Sequence, residues 1–188
     1  MYILTDTQQK LMYADIKLHQ AKQNFNNYAV FIANLDAFVT DARSVTFIMQ
    51  SEFKSIKGFK DWYGVKQEEM KNDPDFDFFN NLRVDTTHVR PFNAVSKYTT
   101  LFPEGMTISA GKTVDVPLGK LDDSGNLVID NESHVSINGK PANNIKRSTI
   151  RRYLFTDRPN EDAVTLCETY FQKLRELVIE CHDKFKLS

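Results

Sequence analysis

The chain has 188 residues, and its 24 Lys and Arg against 25 Asp and Glu give a formal net charge of -1, so no global attraction draws it to nucleic acid, although local clustering can still build a basic face. The length suits a single domain over 1–188 that buries a real core and carries an insertion, and fourteen phenylalanines point to an aromatic-rich interior. Cys167 and Cys181 stand in no CxxC or CxxH spacing, which excludes a disulfide framework and a thiolate metal site and predicts buried, reduced thiols. The first ten residues, MYILTDTQQK, lack a basic segment followed by an apolar run, and no stretch approaches the roughly 20 apolar residues of a membrane span. The expected location is the cytoplasm, with no membrane partner.

From Leu11 to Phe53 apolar residues recur every seven positions: Leu11, Leu18, Phe25, Ile32, Val39 and Phe53 on one line, Ala14, Ala21, Tyr28, Leu35, Ala42 and Met49 on the next. This is a helical period without proline or glycine. An unbroken helix of this extent would reach roughly 65 Å, too long for a compact domain, so a break is expected, and the polar run Thr40-Asp41-Ala42-Arg43-Ser44 is the candidate. Packing in an antiparallel bundle is the expected use of the stripe, with room for a dimer through the first helix. Gly58 ends the region. Phe59 to about Met70 then forms a shorter helix in which Trp62 and Tyr63 are expected to anchor a core or an interface.

The next helix begins well. Asp73 is a good N-cap, Pro74 suits the first helical position, and Asp75 and Asp77 complement the positive end of the dipole. Pro91 bounds its end, which places Arg83 and His88 in or just past the last turns. Arg83 falls on the stripe of Phe76, Phe79 and Thr86, so its guanidinium needs a partner carboxylate or a polar pocket. His88 lies about 140° further round an ideal helix. The two therefore converge only if the helix unwinds near Thr86-Thr87 or a second subunit brings them together.

Beyond Pro91 β-branched residues and turn formers dominate. Strands are expected at Gly105 to Ser109, Lys112 to Val116, Leu127 to Asp130 and His134 to Ile137, with turns at Asp123-Ser124-Gly125-Asn126 and Asn138-Gly139. They make a small antiparallel β insertion at about 99–140. Gly111-Lys112-Thr113 is no phosphate loop, because Met106 replaces the first glycine and no helix follows. From Asn143 to Arg158 comes the most basic segment, with Lys146, Arg147, Arg151, Arg152 and Arg158 interleaved with Tyr153 and Phe155; it reads either as a solvated connector or as an RNA-contacting phosphate face. Asn160 or Asp157 caps a last helix through about Phe185, whose apolar positions, among them Cys167, Tyr170, Leu174 and Cys181, should pack back onto the first helices.

Arg83-Val84-Asp85-Thr86-Thr87-His88 resembles the Arg-x4-6-His signature of HEPN domains, here preceded by a Phe-Phe-x-x-Leu run. The surroundings are similar too: Ala42 to Phe47 in the long helical region, the Phe-x-x-Trp-Tyr segment at Phe59 to Tyr63, and Leu166-Cys167-x-x-Tyr170 in the last helix. The resemblance spans about Gln8 to Phe92 and Asn160 to Phe185 and leaves the β insertion outside. It implies a mainly α fold, an antiparallel HEPN-type bundle. It also implies a metal-independent endoribonuclease acting as a homodimer in a toxin or phage-defence setting, without a cofactor, and with an antitoxin or nucleotidyltransferase as a further partner. Arg83 would bind the scissile phosphate and His88 would transfer a proton during attack of the ribose 2′-OH. Val84 departs from the family, whose catalytic members commonly place a polar residue after the arginine, and leaves Asp85, with Thr87 beside it, to supply that contact or to pair with Arg83 or His88. Two other readings stand beside this one: a non-catalytic module binding RNA, nucleotide or a partner protein, and a helical interaction protein in which Arg83 and His88 are structural. His19, His134 and His182 add no third catalytic member, and no metal site is expected.

Overall fold

The structure, a computed structural model, describes residues 4–88, 92, 94–101, 120–121, 127–128, 136–137, 140–141 and 148–185. It is mainly helical. Among the described residues, five helices are joined by a pair of longer strands and two short strand pairs: α1 (Asp6–Gln23), α2 (Tyr28–Phe53), α3 (Phe59–Asn72), α4 (Pro74–His88), β1 (Val95–Leu101), β2 (Lys120–Leu121), β3 (Leu127–Val128), β4 (Ser136–Ile137), β5 (Lys140–Pro141), β6 (Ser148–Leu154) and α5 (Ala163–Lys184). No helix of the described residues is long and apolar enough to cross a membrane.

α1 starts on a capping box in which the Thr5 hydroxyl accepts from the Gln8 N–H and the Gln8 side chain accepts from the Thr5 N–H at 3.1 Å. A second acceptor comes from the far end of α2, where the Glu52 carboxylate takes the backbone N–H groups of Asp6 and Thr7 at 3.1 and 3.0 Å. This clamp pins the start of α1 to the end of α2, as an antiparallel hairpin requires, and the fully buried Ala14 and Ala21 let the two helices approach closely.

The break in the long apolar stripe lies at Asn24 to Asn27, not at Thr40 to Ser44. Asn24 closes α1 by donating its Nδ2 to the Gln20 carbonyl at 2.8 Å, and the Asn27 side chain caps α2 by accepting from the Val30 N–H. Asparagine stops a helix by offering its own side chain to orphaned backbone groups. The polar run at 40–44 stays helical because each polar side chain finds a use outside the helix core: Asp41 pairs with Lys10 of α1, Ser44 donates to the Thr40 carbonyl, and Arg43 reaches across to α4. Ala42 and Val45 between them are fully buried.

Gly58, at φ +83°, turns the chain into α3 in a conformation that favours glycine. Asp73 then caps α4 as expected, its Oδ1 accepting from the N–H groups of Asp75 at 2.8 Å and Phe76 at 3.2 Å. α5 begins on neither Asn160 nor Asp157 but on Asp162, which accepts from Val164 and Thr165. Just ahead of this cap the Arg158 side chain donates to Glu161 and to the Pro74 carbonyl, both at 2.9 Å.

β1 and β6 pair antiparallel in the register Val95↔Leu154 through Leu101↔Ser148 and form the stem from which the insertion leaves and returns. Part of the basic segment is therefore a strand, not a connector. Within the insertion β2 pairs antiparallel with β3, and β4 with β5; the turns expected at Asp123-Ser124-Gly125-Asn126 and Asn138-Gly139 lie outside the described residues. The strands expected at 105–109 and 112–116 lie outside the described residues.

Among the described residues, two apolar clusters fill the interior. The larger gathers Leu18, Phe31, Leu35, Phe38, Phe79, Tyr153 and Tyr170 with their neighbours, including Phe31 stacked on Tyr153 at 3.9 Å and Phe79 stacked on Tyr170 at 4.3 Å. The smaller holds Met49, Phe53, Phe59, Trp62, Tyr63, Leu177, Cys181 and Phe185. Trp62 and Tyr63 are thus core anchors. α5 packs on both α1 and α2, as its apolar spacing predicts.

Candidate functional site

α4 carries the two residues on which the sequence places chemistry. Its first turn is fixed by charge as well as by the cap: Lys173 of α5 reaches Asp73 at 2.6 Å and the buried Asp75 at 2.8 Å. Burial works against ionisation of Asp73, but the Lys173 ammonium and the two cap N–H groups outweigh it and hold the carboxyl below its ordinary range. Phe79, one turn on, is fully buried, which sets the rotation of the helix about its axis.

With that rotation fixed, Arg83 is half-buried, its Nε enclosed by protein, and Val84 beside it is 43% exposed. The helix does not unwind at Thr86-Thr87 and runs on through His88. Positions 83 and 88 therefore stand about 140° apart around one axis, and of the two routes to convergence only a second copy remains. Asp85 and Thr87 belong to the same closing turns; the side chains of 85–88 lie outside the described residues.

The basic segment divides in two. Lys146 and Arg147 lie outside the described residues, while Arg151 and Arg152 occupy β6. Arg152 is exposed. Arg151 is half-buried, donates to the Asn26 carbonyl at 3.3 Å and lies over the Tyr153 ring at 4.7 Å. The interleaved aromatics are core residues, Tyr153 at 0% and Phe155 at 1% exposure, with the Tyr153 hydroxyl donating to the Phe25 carbonyl. They offer no ring face on which a base could stack.

A third arrangement was not foreseen from sequence. Between α2, α3, α4 and α5 lies a cavity of about 310 Å³, sited where the two apolar clusters meet: Tyr63 and Met70 belong to the smaller cluster, Phe76 and Tyr170 to the larger. Arg43 of α2 is one of the residues that line it. Its Nε donates to Asn80 Oδ1 at 2.8 Å, its Nη1 donates to Thr46 Oγ1 at 2.7 Å, and its guanidinium lies 4.4 Å from the centre of the Phe47 ring. Gln50 donates to the Tyr63 hydroxyl at 3.1 Å. Burial raises the Tyr63 phenol above its ordinary pKa, against the opposing pull of Thr46 and the Arg43 charge, and burial likewise raises Tyr170. Both phenols stay neutral near pH 7. The signal in the sequence was a lone arginine between Ala42 and Val45 with Phe47 four positions on, read there as a helix break.

Other titratable groups are set by burial. Cys167 is raised well above its usual value and Cys181 to about 12, so both thiols stay protonated and inert. His182 is lowered by burial against the opposing field of Glu52 and sits 3.2 Å from the Thr5 hydroxyl. Among the described residues no three His, Cys, Asp or Glu side chains gather as a metal cluster.

A family model described as bacteriophage lambda protein ea47 matches residues 4–185, and the chain belongs to that family. No curated protein and no solved structure matches the chain.

Proposed function

We propose that this member of the bacteriophage lambda ea47 family is a metal-independent endoribonuclease of HEPN type, with Arg83 and His88 as its catalytic residues and a homodimer as its working form. The observation that carries the reading is the placement of Arg83: a half-buried guanidinium on a capped helix that remains intact through His88. Because the two positions diverge on one helix, the working cleft takes Arg83 from one copy and His88 from the other. The guanidinium fork suits a phosphate whose negative charge builds during reaction, and an imidazole titrates near neutrality. In the cleavage step the ribose 2′-oxygen bonds to phosphorus and the bond from phosphorus to the 5′-oxygen breaks. The 2′-OH proton passes by way of the imidazole to the leaving oxygen, giving a 2′,3′-cyclic phosphate and a 5′-hydroxyl. Exposed Arg152 suits the flanking phosphates, and the family's phage description suits an activity turned on the transcripts of a host or a rival phage, held in check by a partner protein.

The test is RNA cleavage with chelator present. Wild type should cut, and His88→Ala should lose about 10²- to 10⁴-fold while its circular dichroism stays unchanged. Mixing His88→Ala with Arg83→Gln should restore activity, since one cleft of each heterodimer then holds an intact pair. Equal cutting by wild type and His88→Ala sinks the reading. Salt-sensitive RNA binding without cleavage replaces it with a binding module, and neither cleavage nor binding with an interaction protein.

A further inference from the structure

The Arg43 cavity has the composition of a ligand site separate from Arg83 and His88. We infer that the cavity bounded by Arg43, Lys71 and Asn80 binds a phosphate monoester carrying a flat, ring-sized body.

Charge is the first argument. Arg43 and Lys71 line the cavity against one carboxylate, Asp77, and no carboxylate among the described residues pairs with Arg43. Asp77 is partly engaged, since its Oδ2 accepts from Asn81 at 3.2 Å. A half-buried guanidinium without an anionic partner is costly to desolvate, and an incoming anion removes that cost.

Donor geometry is the second. Arg43 is held by two bonds, through Nε to Asn80 and Nη1 to Thr46, and these fix the plane of the guanidinium while leaving Nη2 without a partner among the described residues. Asn80 accepts through Oδ1, which fixes the amide so that Nδ2 is its remaining donor edge. Lys71 adds a third donor from α3, so donors come from three helices, α2, α3 and α4. Donors supplied by three helices suit the three terminal oxygens of a phosphate monoester better than the two coplanar oxygens of a carboxylate. The arrangement is also set in advance, because Asn80 and Thr46 orient Arg43 before any ligand arrives.

Size and lining are the third argument. A volume of about 310 Å³ equals the share of about ten waters in the liquid, far more than a bare phosphate fills. The remaining space is bounded by Met70 and Phe76, an apolar thioether and a ring suited to a planar body. Gln67, also in the lining, offers an amide that can bond to polar edges of that body.

The test is calorimetric titration of the full chain with phenyl phosphate and AMP, with phenol, adenosine and inorganic phosphate as comparisons. The two monoesters should bind, inorganic phosphate more weakly, and phenol and adenosine at least about tenfold more weakly than their phosphates, in line with the loss of one charge-assisted hydrogen bond or more. Arg43→Gln should weaken AMP by about tenfold or more. Since that variant also loses bonds inside the fold, Asn80→Asp provides the decisive second reading: it keeps an acceptor for Arg43 Nε, and so the local structure, but replaces a donor with a negative charge. It should melt no lower than wild type and bind AMP at least about tenfold more weakly. Lys57→Gln, an exposed change outside the cavity, should bind as wild type does. Adenosine binding as tightly as AMP, or full AMP affinity in a folded Asn80→Asp protein, overturns the inference.

Discussion

The two apolar clusters are built on different principles, and the cavity lies where they meet. The larger is closed by rings whose polar ends are satisfied by backbone, as when Tyr153 bonds the Phe25 carbonyl, and it draws on α1, α2, α4, β6 and α5. The smaller is closed by charge at its rim: Trp62 Nε1 donates to Glu180 at 2.9 Å, and Lys66 pairs with the same carboxylate at 2.9 Å. α2 passes through both, contributing Phe31, Leu35 and Phe38 to one and Met49 and Phe53 to the other, with Arg43, Thr46 and Gln50 between them. A polar seam on a shared helix leaves two bodies of packing that can loosen separately, and it puts a rigidly held arginine at their junction.

The largest effect is expected in the larger cluster. Phe79→Ala empties a fully buried site and removes the stack on Tyr170, and should cost about 3–5 kcal/mol in urea unfolding. Because this cluster joins α1, α2, α4 and α5, protection from hydrogen exchange should fall in those four helices and stay near its original level in α3; an equal loss in α3 would break the comparison. Next comes Trp62→Phe, which keeps a ring but removes the donor to Glu180 and should cost about 1–2 kcal/mol. Its loss of protection should stay in α3 and the last turns of α5.

A smaller effect is expected from Asp73→Asn, since asparagine also caps helices well and only the charge is lost. The expected cost is below about 1 kcal/mol near pH 7, because Asp73 and Lys173 are both partly exposed. The pH dependence has a definite sign. The folded pKa of Asp73 lies below the unfolded value, so its contribution is complete above about pH 4 and disappears as pH falls through the folded value. Wild type and Asp73→Asn should therefore converge in melting temperature under acid; a gap that widens below pH 4 would overturn the assignment. The smallest effect is expected from Arg152→Gln, an exposed position on β6, which should change stability by less than about 0.5 kcal/mol and thereby report on RNA contacts alone.

How much of this was legible in the sequence follows from the range of each interaction. The cap at Asp73, the stop at Gly58, the burial of Trp62 and Tyr63 and the apolar faces of α2 and α5 depend on residues a few positions apart, and periodicity or cap chemistry reveals them. The misplaced break shows the opposite case. Residues 40–44 look like a loop because polar side chains cluster there, whereas the chain turns at Asn24 to Asn27 within the same seven-residue stripe. Asp41 remains helical through Lys10, and Arg43 through Asn80 37 positions away, partners that no local pattern shows. Likewise Tyr153 and Phe155 looked like aromatics among cations, and packing against Phe31 of α2 and Phe79 of α4 makes them core.

Sequence by itself determined the helices, most of their ends and the candidacy of Arg83 and His88, because those rest on backbone propensity and short spacing. Tertiary structure decided the rest. It kept α4 helical through His88, which assigns any meeting of the pair to a second copy, and it placed Arg43 between two cores with its guanidinium fixed by residues from two helices. The physical reason is common to both: where a charged side chain points is set by the long-range packing that surrounds it, and that packing is absent from any local window of the chain.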